Sequence, residues 1–510
     1  MHPRTVPSHG TFSSSRQALR ARLIRDATEC LTMIVSQAEP GTAPVPSIGQ
    51  QGLLLLEGGR TGFTRLLSSH HAGLCLRVRG PIDRGILERA LNVLLQRHRS
   101  LAVTFQLNQP GDRGSRVAVS PEAVTDAELF SVCPVTETLR LDAYDLSNAS
   151  HQTARDTQIA TFASRVFHQP FVYGRHLLVR ATLATVGPAE HLLLVVMPHA
   201  IVDGLSLQVL QKELAAAYGA LHAGAPPCFA DGELQYDDFA HWQWSAFRSG
   251  RFDGGLAYWR EQWRRFQGAQ LTLRSLTFAR AVPADADAVA GPASVELDAG
   301  LSERLVQLAR SRGTTMFVVL LTAWFLCLRQ YSRQKAIAVW GNFANRMQSN
   351  VATMVGYVAN HHLLGADIAD DMAVGDLLAQ VHVMLAGAIA HQAVPLPLVW
   401  ASSAAERSTP SALFSDACVM IDFVSPPEVD DVGPVTFDRL EWPIAWKSGR
   451  LKLVVKQEAT VNLVLQYSAH HFDPSRVQTV LVICRRILES ISRSQSADVA
   501  SCLREACEPA

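Results

Sequence analysis

The 510-residue chain is 48% hydrophobic and 18% charged, the profile of a folded globular protein rather than a disordered one. Lys plus Arg and Asp plus Glu each number 46, which excludes recruitment of nucleic acid or anionic membrane by overall charge. The length exceeds one ordinary core, so two lobes are expected.

Residues 1–43 differ in composition from the rest. SHGTFSSSRQ reads as flexible, Ala18 to Met33 is a candidate short helix, and EPGTAPVPS is a Pro-rich lead-in. Two accounts fit this segment: a disordered extension, or a docking element for a partner protein. No clean apolar stretch leads to a small-residue cleavage site, so no secretory signal is expected.

From Val45 onward strands and helices mix without a repeat. Leu74 to Val78 and Leu192 to Met197 are apolar runs of strand length, the second apolar enough to be buried on both faces. In 206–224, Leu207, Leu210, Leu214, Tyr218 and Leu221 recur at three- and four-residue steps. Ser206 is placed to cap this helix, and Gly224 lies just past its end. Met316 to Leu328, MFVVLLTAWFLCL, is shorter than the roughly 18 residues that suggest a membrane span and is expected to be a buried helix. The irregular order of elements predicts a mixed α/β sandwich, with an N-terminal lobe over 44–248 and a C-terminal lobe over 249–510.

No G-x-G-x-x-G follows a strand and no Walker loop is present, so nucleotide chemistry is unsupported. The nine cysteines are scattered, without a CxxC pair, which favours unpaired thiols in the cytoplasm and no metal site. His361-His362 and His470-His471 lack carboxylates or cysteines at ligand spacing. Trp242, Trp244, Trp259 and Trp263 are read as core packing rather than a ligand cage.

The stretch richest in chemistry is LLLVVMPHAIVDGLSLQ, Leu192 to Gln208. A buried strand gives way to Pro198 and His199, and Asp203-Gly204 turns the chain into a helix. A side chain at such a junction is held rigidly at a surface or cleft, and an imidazole there can accept a proton near neutral pH. Asp203 either orients that imidazole or pairs elsewhere to brace the loop.

Pro198 to Gly204 resembles the HHxxxDG motif of nonribosomal peptide synthetase condensation domains, and other segments agree in order. Ser47 to Gln50 is similar to the SxAQ element. Arg97-His98 with Leu101 and Phe105 resembles RHExLRTxF. Tyr236, Asp238, Phe239, Ala240 and Trp242 fill the fixed places of YxDFAxW. Gly341 to Arg346, Val355 to Asn360 (IGxFVNT) and His391 to Pro395 (HQDVP) resemble elements of the second half. The chain departs from the family at Pro198, Arg99, Ala102, Ala393 and Leu396-Pro397, which suggests an outlying branch. His70-His71 also form a pair, but no Asp-Gly follows, so they are read as surface or strand-end residues.

The resemblance implies two chloramphenicol acetyltransferase-like lobes with a tunnel between them. It implies a free-standing acyltransferase joining a carrier-bound acyl or peptidyl thioester to an amine or alcohol, in nonribosomal peptide or hybrid polyketide biosynthesis. His199 is the implied base or positioning group, and the Gly204 N–H the implied oxyanion donor. Asp203 is expected to pair with Arg346, with Arg180 as a rival partner. Pro198, Ser206, Trp340, Asn342 and Asn360 are expected along the tunnel. No cofactor is expected to be permanently bound; a phosphopantetheine arm comes with a carrier protein acting in trans on a monomeric enzyme. An acyl-coenzyme A-dependent acyltransferase and a catalytically silent scaffold are the alternatives.

Overall fold

The computed structural model describes residues 42–61, 67–68, 70–108, 124–148, 152–229, 234–271, 275–279, 292–403, 419–424, 429–440, 451–457, 460–469 and 471–508. The candidate helix at 18–33, most of the N-terminal extension, and His470 lie outside the described residues.

The strands of the first half are β1 (Leu67–Ser68), β2 (His71–Arg79), β3 (Val103–Leu107), β4 (Phe130–Pro134), β5 (Leu141–Asp145), β6 (Phe171–Val172), β7 (Arg180–Gly187) and β8 (Glu190–Pro198). Those of the second half are β9 (Ala293–Leu297), β10 (Ala336–Phe343), β11 (Asn360–Asp367), β12 (Val419–Val424), β13 (Val429–Val432), β14 (Val435–Arg439), β15 (Leu451–Gln457) and β16 (Val461–Tyr467). They form two six-stranded sheets, in the orders β13-β14-β2-β8-β7-β5 and β11-β10-β12-β15-β16-β9, and two two-stranded pairs, β1-β6 and β3-β4.

In the first sheet, Leu192 to Pro198 of β8 are buried without alternation, because strands flank β8 on both edges and both of its faces are covered. The helix Gly204–His222 buries Leu207, Leu210, Leu214 and Tyr218 and packs against Arg84–Arg97, which buries Leu87, Leu91, Leu94 and Leu95. Its N-cap is Asp203, not Ser206 as the sequence suggested. The Asp203 side chain accepts from Ser206 N–H, which places Ser206 inside the first turn.

The second sheet is backed by the helix Met316–Ser332, in which Val318 through Arg329 are all buried. Thr315 caps its start. Ala299–Ser311, Val374–Ala390 and Pro474–Arg493 pack around it. Among the described residues, no single helix is long and apolar enough to cross a membrane.

The sequence partition assigns 429–439 to the second lobe, but β14 pairs with β2, Phe437 facing Val78, so this hairpin completes the first sheet. The two halves are therefore interleaved rather than divided at one point. The four tryptophans from 242 to 263 are all buried, at 2–8% exposure, in core positions.

Candidate active site

β2 and β8 run antiparallel and end together, His71 opposite Pro198. One step further, the His199 N–H donates to His70 O at 2.8 Å, and the chain turns through a short 3-10 segment, His199–Ile201. Ala200, Ile201 and Val202 are fully buried, so the turn is anchored by apolar packing while His199 stays partly exposed. Gln50 adds a polar anchor: its Nε2 donates to Ala200 O at 2.6 Å. Gln50 is itself held by Ser47, which caps the helix Ile48–Thr61 reciprocally: Gln50 N–H donates to Ser47 Oγ and Ser47 N–H to Gln50 Oε1.

The His199 ring faces Val202 O through Nδ1, at 3.2 Å. A carbonyl oxygen only accepts, so Nδ1 carries the proton and Nε2 carries the basic lone pair. The Tyr357 ring, from the second half of the chain, stands with its centroid 6.4 Å from that of His199.

Asp203 is 2% exposed and turned to other partners. Its Oδ1 accepts from Ser206 N–H (2.9 Å) and Ser206 Oγ (2.7 Å), and its Oδ2 from Val358 N–H and Ala359 N–H (3.1 Å each). Arg346 Nη2 adds bonds to both oxygens, at 2.9 and 3.0 Å. None of these bonds goes to His199. The Arg346 guanidinium is buried too, its Nη1 donating to Val351 O (2.8 Å) and Met354 O (2.6 Å). Arg180, the rival partner, lies on β7 over the Phe171 ring at 4.2 Å and donates to Val166 O and Gln169 O.

The family-like segments converge on this pair. Ser206 Oγ meets Gly356 O (2.9 Å) and Gly356 N–H (3.1 Å), clamping the loop before β11 onto the helix start. Tyr236 OH donates to Tyr357 O (2.8 Å) and lies 2.8 Å from Ser47 Oγ, while Ser100 Oγ donates to Val355 O (2.7 Å). Burial pushes the Tyr236 phenol far above its ordinary range, so it stays a neutral hydrogen-bonding group. Position 356 admits only glycine, since a Cβ there would come within 1.9 Å of the Tyr236 ring. His98 and Arg97 hold Glu213 of the Gly204–His222 helix, at 2.5 and 3.0 Å. Burial alone would raise the Glu213 pKa, but these two partners bring it below the usual carboxylate value.

Gly204 is exposed at the first position of its helix, and a Cβ there would meet nothing within 4 Å. Its N–H belongs to the first turn, whose donors have no intrahelical acceptor. The residues expected along a tunnel fall differently. Ser206, Trp340 and Asn360 are 0%, 2% and 5% exposed and so offer no lining surface. Trp340 is on the face of β10 that packs against Trp263, and the Asn360 amide is tied to Gln392 O at 2.7 Å. Pro198 is buried at the strand end, and Asn342 alone keeps partial exposure. A cavity of about 500 Å³ lined by Asp370, Leu503, Arg504 and Cys507 includes none of the site residues.

Sequence reasoning missed Glu57 and the place of His70. Glu57 is 1% exposed and lies 3.1 Å from His70 N and 3.3 Å from its Nδ1. A lone acid after the run Leu53 to Leu56, seven residues beyond Gln50, was the available signal.

This is a mixed α/β architecture in which the partly exposed His199 lies five residues before the exposed helix start at Gly204. The sequence profile described as the condensation domain matches residues 60–503, and the chain belongs to that family. Condensation domains catalyse amide-bond formation in nonribosomal peptide synthesis. The chain is 29% identical over 335 residues to chondramide synthase cmdD of Chondromyces crocatus, covering 64% of this chain and 8% of that protein. It is 28% identical over 473 residues to malpibaldin synthetase of Mortierella alpina, covering 92% of this chain and 8% of that one. It thus spans less than a tenth of either relative, at 8% of each. Among solved structures it matches the complex of the X-domain and OxyB from teicoplanin biosynthesis, with a TM-score of 0.74 and 21% identity over 93% of this chain and 98% of that one. It also matches the first condensation domain of the calcium-dependent antibiotic synthetase, with a TM-score of 0.65 and 17% identity over 90% and 98%. At such identities the matches establish the fold alone, the chloramphenicol acetyltransferase-like α/β sandwich.

Proposed function

We propose that this chain transfers an acyl or peptidyl group from a carrier-protein thioester to an amine or alcohol, with carrier and acceptor supplied in trans. The observation that carries the reading is the His199 Nδ1 contact to Val202 O, which leaves Nε2 as the basic nitrogen just past the end of a buried strand. The acceptor nitrogen or oxygen attacks the thioester carbonyl and passes its proton to Nε2. The oxyanion so formed accepts a hydrogen bond from the Gly204 N–H at the positive end of its helix. The C–S bond then breaks, and the imidazolium returns the proton to the departing thiolate.

Asp203, with its oxygens occupied by Arg346, Ser206 and the 358–359 amides, shapes the site rather than relaying protons. The free state of all seven described cysteines supports work in a reducing compartment, as expected of a cytoplasmic enzyme. The test is intact-protein mass spectrometry of an acyl-loaded carrier mixed with this protein and a panel of amines and alcohols. Acceptor-dependent loss of the acyl mass and appearance of the matching amide or ester supports the reading. An acyl carrier unchanged with every acceptor overturns it.

A further inference from the structure

The helix Ile48–Thr61 reaches the His199 turn at two points. Gln50 and Glu57 are seven residues apart, which puts both on one face of the helix, about 10 Å apart along its axis, with buried Leu54 between them. Gln50 holds the far side of the turn through Ala200 O, at 2.6 Å. Glu57 holds the near side through His70, whose N–H and Nδ1 lie 3.1 and 3.3 Å from Glu57 Oε1. The His70 carbonyl in turn receives the His199 N–H at 2.8 Å. The backbone of one residue therefore links a buried carboxylate to the imidazole's own peptide.

We propose that Glu57 is a positioning residue for His199, acting through His70, and that with Gln50 it makes the helix Ile48–Thr61 a two-point clamp on the active-site turn. This rests on the reading of His199 as the acyl-transfer base.

The chemistry of the cluster fits a clamp. Tyr173 OH donates to Glu57 Oε2 at 2.8 Å, so both carboxylate oxygens are engaged. Burial alone would raise the Glu57 pKa, but the His70 bonds, the His70 charge and the Tyr173 hydroxyl bring it below its ordinary value. The carboxylate therefore stays ionised at neutral pH and accepts from both sides. An ionised acceptor makes stronger hydrogen bonds than a neutral amide would. A displacement of even 1 Å at the reacting group lowers rates strongly, which is why a remote anchor matters.

The experiment compares Glu57→Gln with wild type in the full chain, by kinetics with an acyl-loaded carrier and by the ¹³Cε1–Hε1 NMR resonance of His199, assigned through its absence in His199→Ala. The clamp predicts a kcat at least tenfold lower, a KM for the carrier within twofold of wild type, and a shifted His199 resonance. Leu54→Val, on the same helix face without a polar link to His70, should lower thermal stability yet leave kcat within twofold. If Glu57→Gln does not fold, Glu57→Asp, which keeps the charge on a shorter arm, is expected to give the same direction with a smaller loss. A kcat within twofold and an unmoved resonance in the folded variant overturn the proposal. If wild type shows no turnover, the acyl-transfer reading fails separately and the resonance alone decides the clamp: movement supports it, and none overturns it.

Discussion

Arg346 Nη2 grips both oxygens of the Asp203 carboxylate, at 2.9 and 3.0 Å, across 143 residues of chain. Both side chains are 3% exposed, so each would be a costly isolated charge without the other. Asp203→Ala should therefore destabilise the protein by about 3–5 kcal/mol. Arg346→Met combined with it should cost less than the sum of the two single changes, because each single change strands a buried charge. Denaturant unfolding of the four proteins checks this. A normally stable Asp203→Ala with only a catalytic defect would mean that Asp203 serves the chemistry directly.

Gly204→Ala separates catalysis from folding. A Cβ at 204 meets no atom within 4 Å, so the variant should fold with its stability within about 1 kcal/mol of wild type. The added methyl projects into the open space at the helix start, where the oxyanion is to be received. A kcat/KM at least about tenfold lower is expected, equivalent to roughly 1.4 kcal/mol. Thermal melting and steady-state kinetics on the same preparation read both quantities.

The strand–turn–helix that carries His199 was legible because its signals are local: a continuous apolar run, a proline, and Asp-Gly before a 3.6-residue period. The cap was misread by three residues because Ser206 and Asp203 are both good capping residues, and only the geometry shows Asp203 accepting from Ser206 N–H. The β13–β14 hairpin could not be placed, since its partner β2 lies about 360 positions earlier and no local pattern encodes that pairing. The inward turn of Trp340 depends on strand parity, which a single residue near a motif glycine does not reveal. The sequence marks His70 only as a surface or strand-end residue; its link to His199 runs through the backbone carbonyl, to which side-chain identity gives no clue.

A pH prediction follows from His362, which is 1% exposed and stacked on Trp259 with ring centroids 3.9 Å apart. Burial holds its pKa down at about 3, from an ordinary 6.5, against the small upward pull of its bond to Gln392 O. Between these values the unfolded chain binds a proton that the folded chain does not, so stability rises with pH and is lost as pH falls below about 6.5. The slope from this group is about 1.4 kcal/mol per pH unit. His362→Phe should flatten the stability profile between pH 6 and 5. An unchanged slope in that variant would place the acid sensitivity elsewhere.

Donor preference follows from charge. With 46 cationic and 46 anionic side chains and no phosphate-cradling glycine loop in the sequence, the chain has no overall charge that would attract the nucleotide of coenzyme A. A carrier brings its own docking surface and raises the local thioester concentration. The acyl carrier should exceed the matching acyl-coenzyme A by at least about tenfold in kcat/KM, roughly 1.4 kcal/mol. Equal values would favour a coenzyme A-dependent acyltransferase.

The most direct test of the central claim is the single-turnover rate of acyl transfer from a loaded carrier in wild type and His199→Ala. His199 is partly exposed at the end of a buried strand, and its backbone bond to His70 O survives the substitution, so the variant should fold normally. General-base groups contribute about 10²- to 10⁴-fold, and the account predicts a loss of at least about 10²-fold with the circular dichroism spectrum and melting temperature preserved. A correctly folded His199→Ala that transfers the acyl group at the wild-type rate would contradict it.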